Sequence, residues 1–267
     1  NANGEVRAIA IDSNGNLIVG GSFTSIGGQS RNNIAKLNPT TGAADTTFNL
    51  NLNPTPNPYP RDYLHEIAFD SSGNLIVGGT FSTIGGTSRN KIAKLDPTTG
   101  AVDPTFNPNP NSAVDAIALD SSGNLIVGGS FTSIGGPTRR GIAKLNPTTG
   151  AADTTFNSTI DFAVTEIAFD SSGNLIVGGT HAGGMFATVG GPTRRGIAKL
   201  NPTTGAVDPT FNRNASGNIS NLSRTHVYAI AIDAKKNILY TPNTNFNGVD
   251  TFTYTAKDSS GVSTPIT

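Results

Sequence analysis

The sequence predicts an all-β fold: a β-propeller of four near-identical four-stranded blades followed by a divergent fifth unit, five blades in all. Three observations predict it. The run Asp-Ser-Ser-Gly-Asn-Leu-Ile-Val-Gly-Gly stands unchanged at 70–79, 120–129 and 170–179, carries Asn14 for its second Ser at 12–21, and decays from Asp233 to Tyr240. Its opening residues, Asp12, Asp70, Asp120, Asp170 and Asp233, recur at about 50 to 60 residues, too long for a coiled coil and right for one blade or one solenoid unit. Each period holds four short apolar stretches cut by turn residues, which is the strand content of a blade. The third observation is composition, since 32 Gly and 16 Pro with only 13% charged residues suit short strands joined by tight turns. A β-solenoid of the same period is the alternative architecture, but its coils need fewer residues and three faces.

In the first repeat, Val6 to Ile11 alternates and ends at Asp12, Ser13-Asn14-Gly15-Asn16 turns, and Leu17-Ile18-Val19 returns as a second strand. Asp can accept backbone N–H bonds across such a turn while Gly supplies its left-handed residue. Gly20-Gly21 and Gly27-Gly28 flank the apolar anchors Phe23 and Ile26, glycines that let backbones approach closely. Ile34 to Leu37 is the third strand, stopped by Asn38-Pro39-Thr40-Thr41-Gly42, and Asp45 to Phe48 is expected to be the fourth. Repeats two (Leu64 to Phe106), three (Val114 to Phe156) and four (Val164 to Phe211) copy this plan, with a Pro- and Asn-rich connector from Asn51 to Tyr63 and an insertion around His181. The fifth unit opens normally at Val227 and departs, with Lys236 at the turn glycine and Thr241-Pro242 at the glycine pair. Residues 1–226 therefore carry blades one to four with their loops, and 227–267 form a divergent fifth blade or a separate tail.

Length and charge narrow the function classes. A chain of 267 residues buries a sizeable core. Lys plus Arg balance Asp plus Glu at 18 each, so no footprint for nucleic acid or an anionic membrane is visible. The absence of Cys excludes a thiolate nucleophile and a Cys-ligated metal. No apolar run reaches membrane-span length. A start at Asn1 with no leader fits a processed, secreted protein.

No constellation carries chemistry strongly, and neither a cofactor nor a metal is expected. Asp70, Ser72 and Asn74 have a faint calcium-loop spacing, but the bidentate Glu is missing and a hairpin turn explains the same residues. The Gly-rich segments lack the Lys-Ser/Thr of a phosphate cradle. His65, His181 and His226 have no ligand spacing. Catalysis needs a few unlike groups in one asymmetric place, whereas here polar residues recur equivalently, so no enzyme is expected. Candidate ligand contacts are the paired arginines Arg139-Arg140 and Arg194-Arg195 and the inserted His181. Sequons at Asn157, Asn214, Asn218 and Asn221 are candidate glycosylation sites, three of them clustered ahead of the fifth unit.

The first four units resemble bacterial delta-60 type propeller repeats. Gly128, Gly129, Phe131, Gly135, Gly136, Arg139, Ile142, Ala143, Leu145, Asn146, Asp153 and Phe156 carry the pattern in repeat three, and the likeness runs from about residue 5 to 212. It implies a secreted or surface propeller within larger proteins, with no activity assigned. Tyr240 to Tyr254 is similar to the second half of a cadherin-like, immunoglobulin-type module of bacterial surface proteins. Such a module needs more strands than follow Asp233, so the tail is expected either to finish a fifth blade or to lend strands to another chain.

The expectation is a non-enzymatic structural or adhesive surface protein whose partners are other copies of itself. Thr251, Phe252, Thr253 and Tyr254, or Val262 to Ile266, would add to a neighbour's sheet and build a filament. The rival is a propeller that binds a glycan or peptide over its channel. A chain without Trp and with only five Tyr favours the structural reading, because sugar platforms stack on aromatic faces.

Overall fold

The computed structural model describes residues 1–52, 63–158, 160, 163–180, 197–211, 229–232, 238–241, 255–257 and 263–265. Among them there are strands, turns and bends and no helix. Blade one comprises β1 (Val6–Ile11), β2 (Leu17–Gly21), the short ribbon β3 (Ser25–Ile26) and β4 (Gln29–Ser30), and β5 (Ile34–Leu37). Blade two has β6 (Leu64–Phe69), β7 (Leu75–Gly79), the ribbon β8 (Thr83–Ile84) and β9 (Thr87–Ser88), and β10 (Ile92–Leu95). Blade three has β11 (Val114–Leu119), β12 (Leu125–Gly129) and β13 (Ile142–Leu145), and blade four β14 (Ala163–Phe169), β15 (Leu175–Thr180) and β16 (Ile197–Leu200). The fifth unit contributes β17 (Ala229–Ile232) and β18 (Ile238–Thr241), and a last hairpin pairs β19 (Thr255–Lys257) with β20 (Ser263–Pro265).

Each of the four blades is a three-stranded antiparallel sheet with its second strand in the middle. The fourth strand expected at Asp45 to Phe48 is a correction: it shrinks to one bridge, Leu37 to Ala44, repeated at Leu95–Val102, Leu145–Ala152 and Leu200–Val207. The cause is local. Asp45 Oδ1 accepts from Thr47 N at 2.8 Å and Thr47 Oγ1 at 2.7 Å, a side-chain turn that competes with strand pairing.

The repeated motif builds the first hairpin and the blade contacts together. Asp12 N donates to Asn16 O, Gly15 N to Asp12 O, and Gly15 has φ of 82°, so the turn is a three-residue loop closed by a left-handed glycine. The middle strand reads Leu-Ile-Val-Gly-Gly without alternation because neighbouring blades cover both its faces; every residue of β7 and β12 is buried. Its glycine pair has two tasks. A Cβ at Gly78 would lie 2.6 Å from Val114 Cγ1 and 2.9 Å from Ile117 Cδ1 of the next blade, while Gly79 backs onto the carbonyl of Tyr63, the residue before its own first strand.

The core lies between blades. Ile18 and Ile34 of blade one pack with Leu64, Ile67, Leu75 and Val77 of blade two, and Phe48, Leu50 and Leu52 of the connector fill the outer part. Phe106 and Phe156 do the same at the next two interfaces. These three phenylalanines are fully buried, each worth about 1.5–3 kcal/mol relative to exposure.

A charged staple joins the blades at the rim. Lys36 Nζ lies 2.8 Å from Asp12 Oδ2 in its own blade and donates to Pro97 O of blade two at 3.2 Å. Lys94 repeats this with Asp70 and Pro147 O, and Lys144 with Asp120 and Pro202 O. Burial alone would push the Asp12 carboxyl up, but bonds from Lys36, Asn16 and Asn14 outweigh it and hold it down at about 2. The carboxylate whose spacing suggested a calcium loop is thus engaged by a lysine ammonium and the turn's own N–H groups.

Candidate functional site

The first strands line up along the inside of the array: β1 packs against β6, β6 against β11, β11 against β14, and β14 against β17. Each of the first four carries one register shift, at Val6/Ala8, Leu64/Glu66, Val114/Ala116 and Val164/Glu166. Bulges re-aim a side chain while leaving the flanking ladder intact. The bulged residue is Arg7, His65, Asp115 or Thr165, a different one in every blade, although the motif that follows is nearly constant.

Two of these positions form a polar link between blades two and three, with Arg7 of blade one nearby on the Tyr63 ring. His65 Nδ1 is 2.6 Å from Asp115 Oδ1, and Ser130 Oγ donates to Asp115 Oδ2 at 3.3 Å. Arg7 stacks 4.7 Å above the Tyr63 ring and pairs with Glu5 at 2.8 Å. An arginine, a histidine, a carboxylate and a hydroxyl therefore stand along one stretch of the inner wall, partly exposed.

The next position alternates Ala8, Glu66, Ala116, Glu166, so two carboxyls flank the small residue of blade three. Burial pushes both up. Glu166 reaches about 7, through desolvation first and repulsion from Glu66 second, against a bond accepted from Ile167 N. Glu66, whose Oε1 accepts from Ile67 N at 3.0 Å, is raised by burial. Near pH 7 the Glu166 carboxyl is therefore partly protonated, able both to donate and to accept.

The residues that sequence reasoning selected lie elsewhere. Arg139 is buried, 8% exposed, and its guanidinium donates to Thr138 O at 2.9 Å and Asp153 O at 3.2 Å, as Arg31 and Arg89 do in their blades. Its two terminal nitrogens serve carbonyls inside the blade, while its buried Nε has no partner among the described residues. Arg140 is exposed, and its carbonyl accepts from Ile160 N of the following connector. His181, Arg194 and Arg195 lie outside the described residues, as do Thr251, Phe252, Thr253, Tyr254, Val262, Ile266, Asn214, Asn218 and Asn221. Asn157 is exposed, with its N–H bonded to Thr204 O at 3.0 Å. The inner-wall cluster was missed; the signal for it was one variable position inside otherwise constant repeats.

Residues 13–48, 71–106 and 121–156 match a domain of unknown function described as a β-propeller (DUF5122). These are β-propeller repeats. Residues 188–267 match a bacterial Ig domain (Big_9), in keeping with the immunoglobulin-like tail. No curated protein matches the chain. Among solved structures, the extracellular domain of the hybrid two-component system BT3049 from B. thetaiotaomicron is similar at 16% identity and TM-score 0.53, over 88% of this chain and 25% of that one. Virginiamycin B lyase from Staphylococcus aureus is similar at 14% identity and TM-score 0.52, over 100% of this chain and 72% of that one. The chain thus spans about a quarter of the extracellular domain it matches, 25%, and at these identities the likeness is one of fold.

Proposed function

We propose that the chain is a non-enzymatic, extracellular structural or adhesive propeller of a bacterial surface, assembling with copies of itself by strand addition through its tail. The observation that carries the reading is the last hairpin. Among the described residues β19 and β20 pair only with each other, and neither outer edge of this small sheet has a described strand partner. A two-stranded sheet is marginal alone and gains from a third strand. The repeated polar groups of the blades support a non-catalytic role, being engaged with their own carbonyls, turns and ion pairs. The extracellular placement draws on the BT3049 domain and on the bacterial Ig match.

Negative-stain microscopy of the chain beside a version ending at Asn212 tests this. Linear assemblies that vanish on truncation are expected, and Ala256→Pro, which removes a backbone N–H from β19, should shorten them. Isolated particles in every sample would overturn the reading.

A second reading is favoured by the inner wall: unlike groups at Arg7, His65 and Asp115 suit a polar ligand such as a surface glycan. Glycan-array binding that Asp115→Ala abolishes, without loss of folding, would support it; an array with no binder would dismiss it.

A further inference from the structure

Three interfaces within the chain display what packs on the upstream face of a blade. Gly20 of blade one lies under Leu64 and Ile67, Gly78 under Val114 and Ile117, and Gly128 under Val164. At the rim the preceding blade's lysine reaches the proline carbonyl of the next: Lys36 to Pro97, Lys94 to Pro147, Lys144 to Pro202. Ile67 and Ile117 are accordingly only 5% and 8% exposed.

Blade one presents the same face uncovered. Val6, Ile9 and Ile11 occupy the positions of Leu64, Ile67 and Phe69, yet they are 39%, 62% and 65% exposed. Among the described residues no donor reaches the carbonyl of Pro39, the counterpart of Pro97. The approach to this face is already shaped as a connector between blades. Asn3 Oδ1 accepts from Thr24 N and Ser25 N and its Nδ2 donates to Thr24 Oγ1, the bonds that Asn111 makes with Thr132 and Ser133 on the way into blade three.

We infer that the upstream face of blade one, formed by Val6, Ile9, Ile11 and Pro39, is a docking surface for the downstream face of one more blade of this repeat type, carried ahead of Asn1 through residues 1–4. That blade supplies a glycine beneath Val6, an isoleucine pair over Ile9 and a lysine for the Pro39 carbonyl. Among the described residues, an intact second copy has no such face to give. Its blades one to three are each covered by the next, and Ile176 and Ile197 on blade four are 0% and 4% exposed. The fifth unit does not match either, because Thr241-Pro242 stands where the earlier blades have the glycine pair that receives Leu64 and Val114. Self-contact of the patch is too small, since three side chains fall far short of the roughly 800 Å² that each partner buries in a stable interface.

The chain has no cysteine, so Ile9→Cys and Ile11→Cys each place a single thiol on the face. The test compares alkylation rates of these variants with rates after a copy of residues 63–108, or of 113–158, is fused ahead of Asn1. Slowing of at least tenfold in an extended chain is expected, together with its loss when the added copy carries Val at the position of Gly78 or Gly128. Unchanged rates with both added blades would overturn the inference. So would a thiol already protected in the unextended chain, which means cover by the chain's own fifth unit or tail, or protection that grows with protein concentration, which means a second copy.

Discussion

The body of each blade and its innermost strand carry the repetition differently. In the body, Asp12, Asn16, Gly20, Gly21, Arg31, Lys36 and Phe48 have the same residues at the same places in blades two and three, and each makes a contact that positions a blade or its neighbour. On the inner strand, Arg7, His65, Asp115 and Thr165 share a place and no chemistry. The comparison teaches that the blade interface tolerates one solution, while the wall facing the centre is free to become asymmetric. Unlike groups therefore gather on the first strands, not at the arginines that recur.

Substitutions can sharpen or break that contrast. The largest effect is expected from Lys36→Met, which leaves the Asp12 carboxylate buried without its cation and Pro97 without its donor; about 3 kcal/mol of stability should be lost in urea unfolding. Lys36→Met combined with Asp12→Asn should recover much of that loss, and no recovery would mean the pair is not the staple. Gly78→Ala is next, because the added methyl meets Val114 and Ile117 at 2.6 and 2.9 Å; about 2 kcal/mol should be lost, whereas Gly73→Ala, with open space but φ of 81°, should lose about 1. Equal costs at the two glycines would undo the claim that the pair is a packing feature.

The inner wall should respond to pH instead. Glu166 has a folded value, about 7, above its ordinary 4.5, so its contribution is fully present below pH 4.5 and is lost as pH rises through 7. Wild-type stability should therefore fall across that window, and Glu166→Gln should flatten the fall, as followed by thermal melts from pH 4.5 to 8. The staple carboxylates behave oppositely. Asp12 and Asp170, held down at about 2 from 3.8, contribute above 3.8 and lose their contribution as pH drops through 2. The smallest effect is expected from Asp115→Ala, whose partly exposed pair with His65 should cost less than about 1 kcal/mol; a larger loss would place the cluster among the structural residues.

Much of the fold was legible because it is local. The Asp-x-x-Gly-Asn turn, the strand after it and the Asn-Pro-Thr-Thr-Gly stop are each complete within a few residues, and repetition made them conspicuous. The fourth strand was misread because Asp45 and Thr47 look like the start of a strand, while their side chains bond to the backbone and end it. Arg139 reads in the sequence as a candidate ligand contact, whereas the folded blade buries it and turns its guanidinium to Asp153 O.

What the sequence determined by itself is the blade and its repetition: hairpins, glycine pairs and closing phenylalanines follow from backbone sterics and apolar patterning over short spans. Tertiary structure alone decided what the blades do to each other. It set Lys36 against a carbonyl of the next blade and His65 against Asp115, and it left Ile9 and Ile11 uncovered although Ile67, at the position of Ile9, is buried. The reason is distance along the chain. Partners about a whole repeat apart meet only when the blades stack, and identical residues acquire different surroundings according to which blade lies beside them.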